Sequence, residues 1–213
     1  MGETGRSVDR LSNPLVIYGC GYSLNELTDE QWDELRGYDS IGFNWFILQD
    51  WIAPTHMLVG DIRPDKKVKR LGHTQEEAED RYWEESKRPC YNDTEFWQLD
   101  ALDMPHKDWN KSTTIAALWL AKKMGYKKVV YAGVDLYDYR FFWLERDELR
   151  VMMTRKKHGG KHRGVYRKLK KPHPVYKKIL EFFDEHPDWL DGMEIYSYNH
   201  KSKLLESEVV RPW

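Results

Sequence analysis

Short apolar runs that stop abruptly at glycine constrain this chain more than any other feature. Leu15-Val16-Ile17-Tyr18 stops at Gly19-Cys20-Gly21-Tyr22-Ser23-Leu24, and Lys127-Lys128-Val129-Val130-Tyr131-Ala132 stops at Gly133-Val134-Asp135-Leu136-Tyr137. Runs this short and this rich in β-branched residues read as strands buried on both faces, the habit of a parallel sheet. Glycine lets a backbone turn sharply and approach a ligand without Cβ interference. The loop from Gly19 to Ser23 is therefore either a nucleotide or phosphate site or a tight turn at a strand end.

Helical signals fall between the strands. Thr28-Asp29-Glu30-Gln31 has the spacing of a capping box, and Trp32 and Leu35 continue the apolar face begun by Leu24 and Leu27. Ser40-Ile41-Gly42-Phe43 predicts a strand ending at Asn44, and His56-Met57-Leu58-Val59-Gly60 another ending at Asp61. Ser112-Thr113-Thr114 precede a helical run from Ile115 to Met124, where hydroxyls can cap the free N–H groups or serve an anion. Pro174 suits a first helical turn, followed by the apolar stripe Val175, Ile179, Phe182 and Phe183. Met193 to Ser197 predicts a last strand, leading to Asn199-His200-Lys201-Ser202 and a polar tail. Residues 62–109 read as an irregular insertion or peripheral helices, with only the acidic stretch Thr74 to Glu85 looking helical.

This alternation predicts an α/β fold: a mostly parallel, Rossmann-like sheet with helices on both faces. A length of 213 residues suits a single domain, 1–213, in which 138–172 form a basic lid. Ligands of such sheets bind beyond the carboxyl ends of the strands. Gly19 to Ser23, Asn44, Asp61, Ser112 to Thr114, Gly133 to Tyr137 and Asn199 to Ser202 are accordingly expected to converge on one edge. No metal-ligand cluster stands out among them.

Composition narrows the class further. A content of 32% charged and 40% hydrophobic residues fits a soluble protein, and no apolar run is long enough to span a bilayer. Met1 to Asn13 lacks the apolar core of a signal peptide, so the expected location is cytoplasmic. Cys20 and Cys90 are not spaced as a disulfide framework or a zinc site; Cys20 is either a small residue filling a turn or a reactive thiol. The net charge of −1 conceals a segregation of charge. Arg155 to Lys178 contains no Asp or Glu but carries Arg155, Lys156, Lys157, Arg163, Arg167 and Lys168 among its cations, interleaved with His158, His162, Tyr166 and His173. Such a strip is either a solvated loop or a binder of phosphate-bearing partners, nucleic acid among them.

Taken together, these motifs resemble bacterial lipooligosaccharide sialyltransferases. Their first loop reads Gly-Asn-Gly-Pro-Ser-Leu where this chain has Gly19-Cys20-Gly21-Tyr22-Ser23-Leu24, and their next strand ends in Cys-Asn where this chain has Phe43-Asn44. Downstream, Ser112-Thr113-Thr114 before a helix, Gly125-Tyr126-Lys127 before a strand and Gly133-Val134-Asp135-Leu136-Tyr137 after it are similar to that family's Thr-Ser-Gly, Gly-Tyr-Lys and Gly-Ile-Asp-Phe-Tyr. His173 precedes a helix bearing Leu180-Glu181-Phe182 in the manner of the family's catalytic histidine. The likeness covers Leu15 to Asp61 and Asn110 to Ser202.

The resemblance implies a metal-independent, inverting glycosyltransferase that needs no cofactor beyond its nucleotide-sugar substrate. His173 would be the general base, since an imidazole with an ordinary pKa near about 6.5 can accept a proton at neutral pH. Tyr137 and the lid's Tyr139 would hydrogen-bond the leaving phosphate. Gly19, Cys20, Gly21, Ser23, Asn44, Asp61, Gly133, Asp135, Asn199 and Ser202 would surround the donor, with Ser112 and Thr113 at its anionic part. Asp61 stands where the family has an asparagine near the donor sugar, and its charge would repel a sugar carboxylate. A neutral sugar on a pyrimidine nucleotide is thus expected, with a glycan hydroxyl or a hydroxymethylated base in DNA as acceptor, the base being flipped or single-stranded. Two alternatives come from other classes. One is a non-catalytic nucleic-acid-binding module. The other is a nucleotide enzyme resembling a pterin pyrophosphokinase, although no Walker lysine follows the first glycine loop.

Overall fold

The structure, a computed structural model, describes residues 12–60, 75–105, 112–137, 141–142 and 175–213. Seven strands lie in one sheet: β1 Leu15–Tyr18, β2 Ser40–Phe43, β3 His56–Val59, β4 Glu95–Gln98, β5 Lys128–Ala132, β6 Glu194–Ser197 and β7 Val210–Pro212. Their order across the sheet is β4-β3-β2-β1-β5-β6-β7. Every pairing between them is parallel, with Ile17 opposite Ile41 on one side and Tyr131 on the other. The expectation of a mostly parallel sheet is met by a sheet that is wholly parallel among the described strands.

Among the described residues four α-helices cover it: α1 Asp29–Arg36, α2 Gln75–Ser86, α3 Thr113–Lys123 and α4 Val175–Glu185. Helix α1 starts as its sequence dictates, because the Thr28 hydroxyl accepts from Gln31 N at 3.3 Å while the Gln31 side chain accepts from Thr28 N at 2.9 Å. Trp32 and Leu35 of α1 and Tyr82 of α2 pack with Val16, Tyr18 and Met57 on one face of the sheet. Ile115 and Leu118 of α3 and Ile179, Phe182 and Phe183 of α4 pack with Leu15, Ile17 and Val129 on the other. The alternate side chains of β1 thus feed two separate cores. The first of these is strongly aromatic, with Phe46 stacked on Tyr18 at 4.8 Å and Trp51 on Trp32 at 4.9 Å.

Two segments depart from the sequence reading. Residues 62–109, expected to be an irregular insertion or peripheral helices, contribute α2 over the acidic stretch as expected, but also the edge strand β4, whose Phe96 pairs in register with Met57. The polar tail contributes β7, where Pro212 is tolerated because the strand has a neighbour on one side only. Among the described residues no helix is long and apolar enough to cross a membrane.

Sheet growth reverses at the seam between β1 and β5. The chain lays down β2, β3 and β4 to one side of β1, then returns through α3 to place β5 on the other. The seam continues past the strands, since Gly19 N donates to Ala132 O at 2.8 Å and Gly21 N to Gly133 O at 2.7 Å. A Cβ on Gly21 would lie 2.6 Å from Gly133 O, so the glycine is required by the approach of two backbones. Gly21→Ala should therefore lower stability by about 1–3 kcal/mol in urea unfolding with no ligand present. A glycine needed only by a ligand would leave that midpoint unchanged.

Candidate functional site

The carboxyl ends of β1, β2, β5 and β6 carry a continuous set of polar groups at the topological switch point, where ligands of open parallel sheets bind. One group centres on Asp135, just past β5 and 3% exposed. Its Oδ2 accepts from Ser23 N at 2.9 Å, and its Oδ1 accepts from the Ser23 hydroxyl and from Asn199 Nδ2 at 2.8 Å. Several donors on one buried carboxylate satisfy it as a charge, and such charge-assisted bonds are the strong ones. The turn after β6 is fastened to the same place, because Lys203 N donates to Asp135 O at 3.0 Å and the Ser202 hydroxyl to Val134 O at 2.6 Å.

The second group lies past β2, β3 and the start of α3. Asn44 Nδ2 donates to Thr113 Oγ1 at 3.2 Å. Gly60 completes the contact, since a Cβ there would sit 2.7 Å from Asn44 Oδ1 and 3.2 Å from Thr113 Oγ1. Asn44 Oδ1 is buried and has no hydrogen-bond partner, and neither has the hydroxyl of Ser112, a residue only 7% exposed. Ser112 occupies the N-cap of α3 without making a capping bond. Its hydroxyl, which the sequence offered either as a cap or to an anion, is unspent. Tyr131 holds this helix end to the sheet by donating to Thr114 O at 3.1 Å.

Cys20 joins the two groups. Its Sγ lies 3.5 Å from Phe43 O, next to Asn44, and burial pushes the thiol well above the ordinary cysteine range. A thiol held protonated is a poor nucleophile, which favours the turn-filling role over the reactive one. The backbone is strained at two strand ends, with φ of 53° at Asn44 and 60° at Leu136. Asparagine tolerates that conformation, whereas leucine adopts it at a cost of roughly 1–3 kcal/mol, and the resulting turn leads directly to half-buried Tyr137.

The expected convergence can be followed residue by residue. Gly19, Cys20, Gly21 and Ser23 meet Gly133, Asp135, Asn199 and Ser202 around one carboxylate, while Asn44 meets Thr113 beside Ser112. The amides of Gly19 and Gly21 are spent on β5 and the Asp135 carboxylate on Ser23 and Asn199. These groups tie the loops after β1, β5 and β6 together. Asp61, Tyr139, His173 and the cations Arg155, Lys156, Lys157, Arg163, Arg167 and Lys168 lie outside the described residues. Phe142, within the segment 138–172 read from the sequence as a basic lid, is a fully buried core residue. It is pinned to the glycine loop through Phe142 N to Cys20 O at 3.1 Å and Asn25 Nδ2 to Phe142 O at 2.8 Å. Sequence reasoning missed Gly60, Asn25 and Tyr131; only Gly60, at the end of a predicted strand, carried a usable signal. Among the described residues no group of acidic, histidine and cysteine side chains is arranged to hold a metal.

No family model and no curated protein matches the chain. Among solved structures it is similar in fold to the monofunctional alpha-2,3-sialyltransferase Cst-I from Campylobacter jejuni, with 12% identity, a TM-score of 0.49, and coverage of 97% of this chain and 82% of that one. It is also similar to a tyrosine-to-phenylalanine variant of the sialyltransferase Cst-II in complex with CMP, at 12% identity and a TM-score of 0.47, covering 91% of this chain and 84% of that one. A third similar structure is Cst-II in complex with a trisaccharide acceptor and CMP, at 13% identity and a TM-score of 0.44, with the same coverage of 91% and 84%.

Proposed function

We propose that the crevice at the ends of β1, β2 and β5 holds a nucleotide sugar and that the protein transfers the sugar to an acceptor hydroxyl. The observation that carries this reading is the pair of buried oxygens without a protein partner, Asn44 Oδ1 and Ser112 Oγ, at an α3 N-terminus left uncapped by its own N-cap side chain. The two oxygens ask for different chemistry. A helix N-terminus and a serine hydroxyl that does not cap it favour an anion such as phosphate. A carboxamide oxygen accepts only, so it suits a hydroxyl or amino group and not a phosphate oxygen. A nucleotide sugar offers phosphate flanked by such donors on both sides.

In this reading the acceptor oxygen attacks the anomeric carbon and forms the new C–O bond. The bond from that carbon to the phosphate oxygen breaks, and the nucleotide leaves with the electron pair. His173 takes the hydroxyl proton, while Tyr137 and Tyr139 hydrogen-bond the departing phosphate. Asp61 favours a neutral sugar over one bearing a carboxylate. The acceptor is read as a glycan hydroxyl; a hydroxymethylated base in DNA is the alternative that the composition of Arg155 to Lys178 supports.

Titration with CMP, CDP, UMP and UDP tests the site. At least one is expected to bind, and Ser112→Ala is expected to weaken it about tenfold, the loss of one hydrogen bond to a charged group. Absence of binding by all four at millimolar concentration would overturn the reading. The chemistry is tested with cytidine and uridine nucleotide sugars, where neutral donors should be consumed in preference to a sialyl donor. His173→Ala should slow transfer by about a hundredfold or more while leaving nucleotide affinity in place. The same assay against rising salt separates the acceptors, because transfer to DNA should fall steeply and transfer to a neutral glycan should not.

A further inference from the structure

We infer that Asp135 is a positioning residue: its carboxylate fixes the loops after β1 and β6 against the end of β5 and so sets the shape of the crevice, without itself contacting substrate. The inference takes from the nucleotide-sugar reading only the identity of what the crevice binds.

Ser23 and Asn199 reach this carboxylate from 112 and 64 positions away in the chain. They belong to loops that share no secondary-structure element. Asp135 Oδ2 takes Ser23 N, and Oδ1 takes the Ser23 hydroxyl and Asn199 Nδ2. A Cβ on Gly21 would collide with the carboxylate, so Asp135 closes directly over the loop backbone. Asn199 is itself oriented, because its Oδ1 accepts from Lys201 N at 2.9 Å and this turns its Nδ2 toward Asp135. At 3% exposure the carboxylate presents almost no surface to a ligand.

Hydrogen-bond polarity makes the inference testable. Aspartate accepts at both oxygens, whereas asparagine accepts at one and donates at the other. In Asp135→Asn, keeping the bond from Ser23 N turns the new amide nitrogen toward Asn199 Nδ2, donor against donor. In Asn199→Asp, two carboxylates face each other. Combining both substitutions restores an acceptor opposite the new amide, still accepts from Lys201 N, and leaves the rotatable Ser23 hydroxyl free to adapt. A carboxylate that bound substrate directly could not be replaced by one at position 199.

The experiment compares the full chain with Asp135→Asn, Asn199→Asp and the double exchange. Amide hydrogen exchange is followed in peptides covering 19–26 and 198–204, with nucleotide affinity measured for the same four nucleotides. Each single variant should exchange about tenfold faster in both peptides and bind about tenfold more weakly, as expected for one unsatisfied buried polar group. The double exchange should return both readouts to within about threefold of the starting protein. Should Asp135→Asn fail to fold, a folded double exchange supports the inference. A double exchange as impaired as Asp135→Asn, or exchange rates that rise in one peptide alone, overturns it. If no nucleotide binds the unaltered protein, the nucleotide reading falls and the exchange rates alone decide the role of Asp135.

Discussion

The pairing of β1 with β5 is the constraint on which the remaining structure depends. Both strands are buried, and each donates and accepts along a parallel ladder that continues into the loops through Gly19 and Gly21. Because the sheet grows outward in both directions from this seam, α1 and α2 fall on one face while α3 and α4 fall on the other. Sheets that reverse direction in this way bind ligands beyond the strand ends at the reversal. The polar residues gathered there are those that follow each strand.

Those residues divide by how well the protein satisfies them. Around Asp135 the bonding is complete, and a buried charge with several donors becomes a rigid joint. Around Asn44 and Ser112 it is not, and each buried atom left without a partner costs about 1–3 kcal/mol. The proposed nucleotide-sugar site combines the two: a joint that keeps its shape before binding, and buried oxygens that a ligand would satisfy. The left-handed backbone at Asn44 and Leu136 adds strain at the same strand ends.

Much of this was legible in the sequence, for identifiable reasons. The strands β1 and β2 begin and end where their apolar runs do, since a strand buried on both faces leaves no doubt about period. The capping box of α1 is a local device and formed as its spacing predicts. β4 was not legible: Glu95 and Gln98 are exposed and the two aromatics between them half-buried, a pattern shared with surface loops. β7 escaped notice because Arg211 and Pro212 are poor strand formers, admitted only by an edge position. In the site, the polar strand ends could be named but not their partners. Nothing in the spacing of Ser23, Asp135 and Asn199 says that one carboxylate serves the other two.

The two hydroxyl-led helices show why motif and role separate. Thr28 and Ser112 stand at the same position relative to α1 and α3, and both belong to residue types that favour an N-cap. Thr28 is exposed and spends its hydroxyl on Gln31 N, because an uncapped turn in water gains from closing on itself. Ser112 is buried next to Thr113, which meets Asn44 past the end of β2, and its hydroxyl stays clear of the N–H groups it could cap. A buried hydroxyl without a partner, at a helix end that carries partial positive charge, sits where water screens little. The same local signal therefore caps an exposed helix in one case and leaves a buried hydroxyl without a protein partner in the other, and only the placement of α3 across the sheet decides between them.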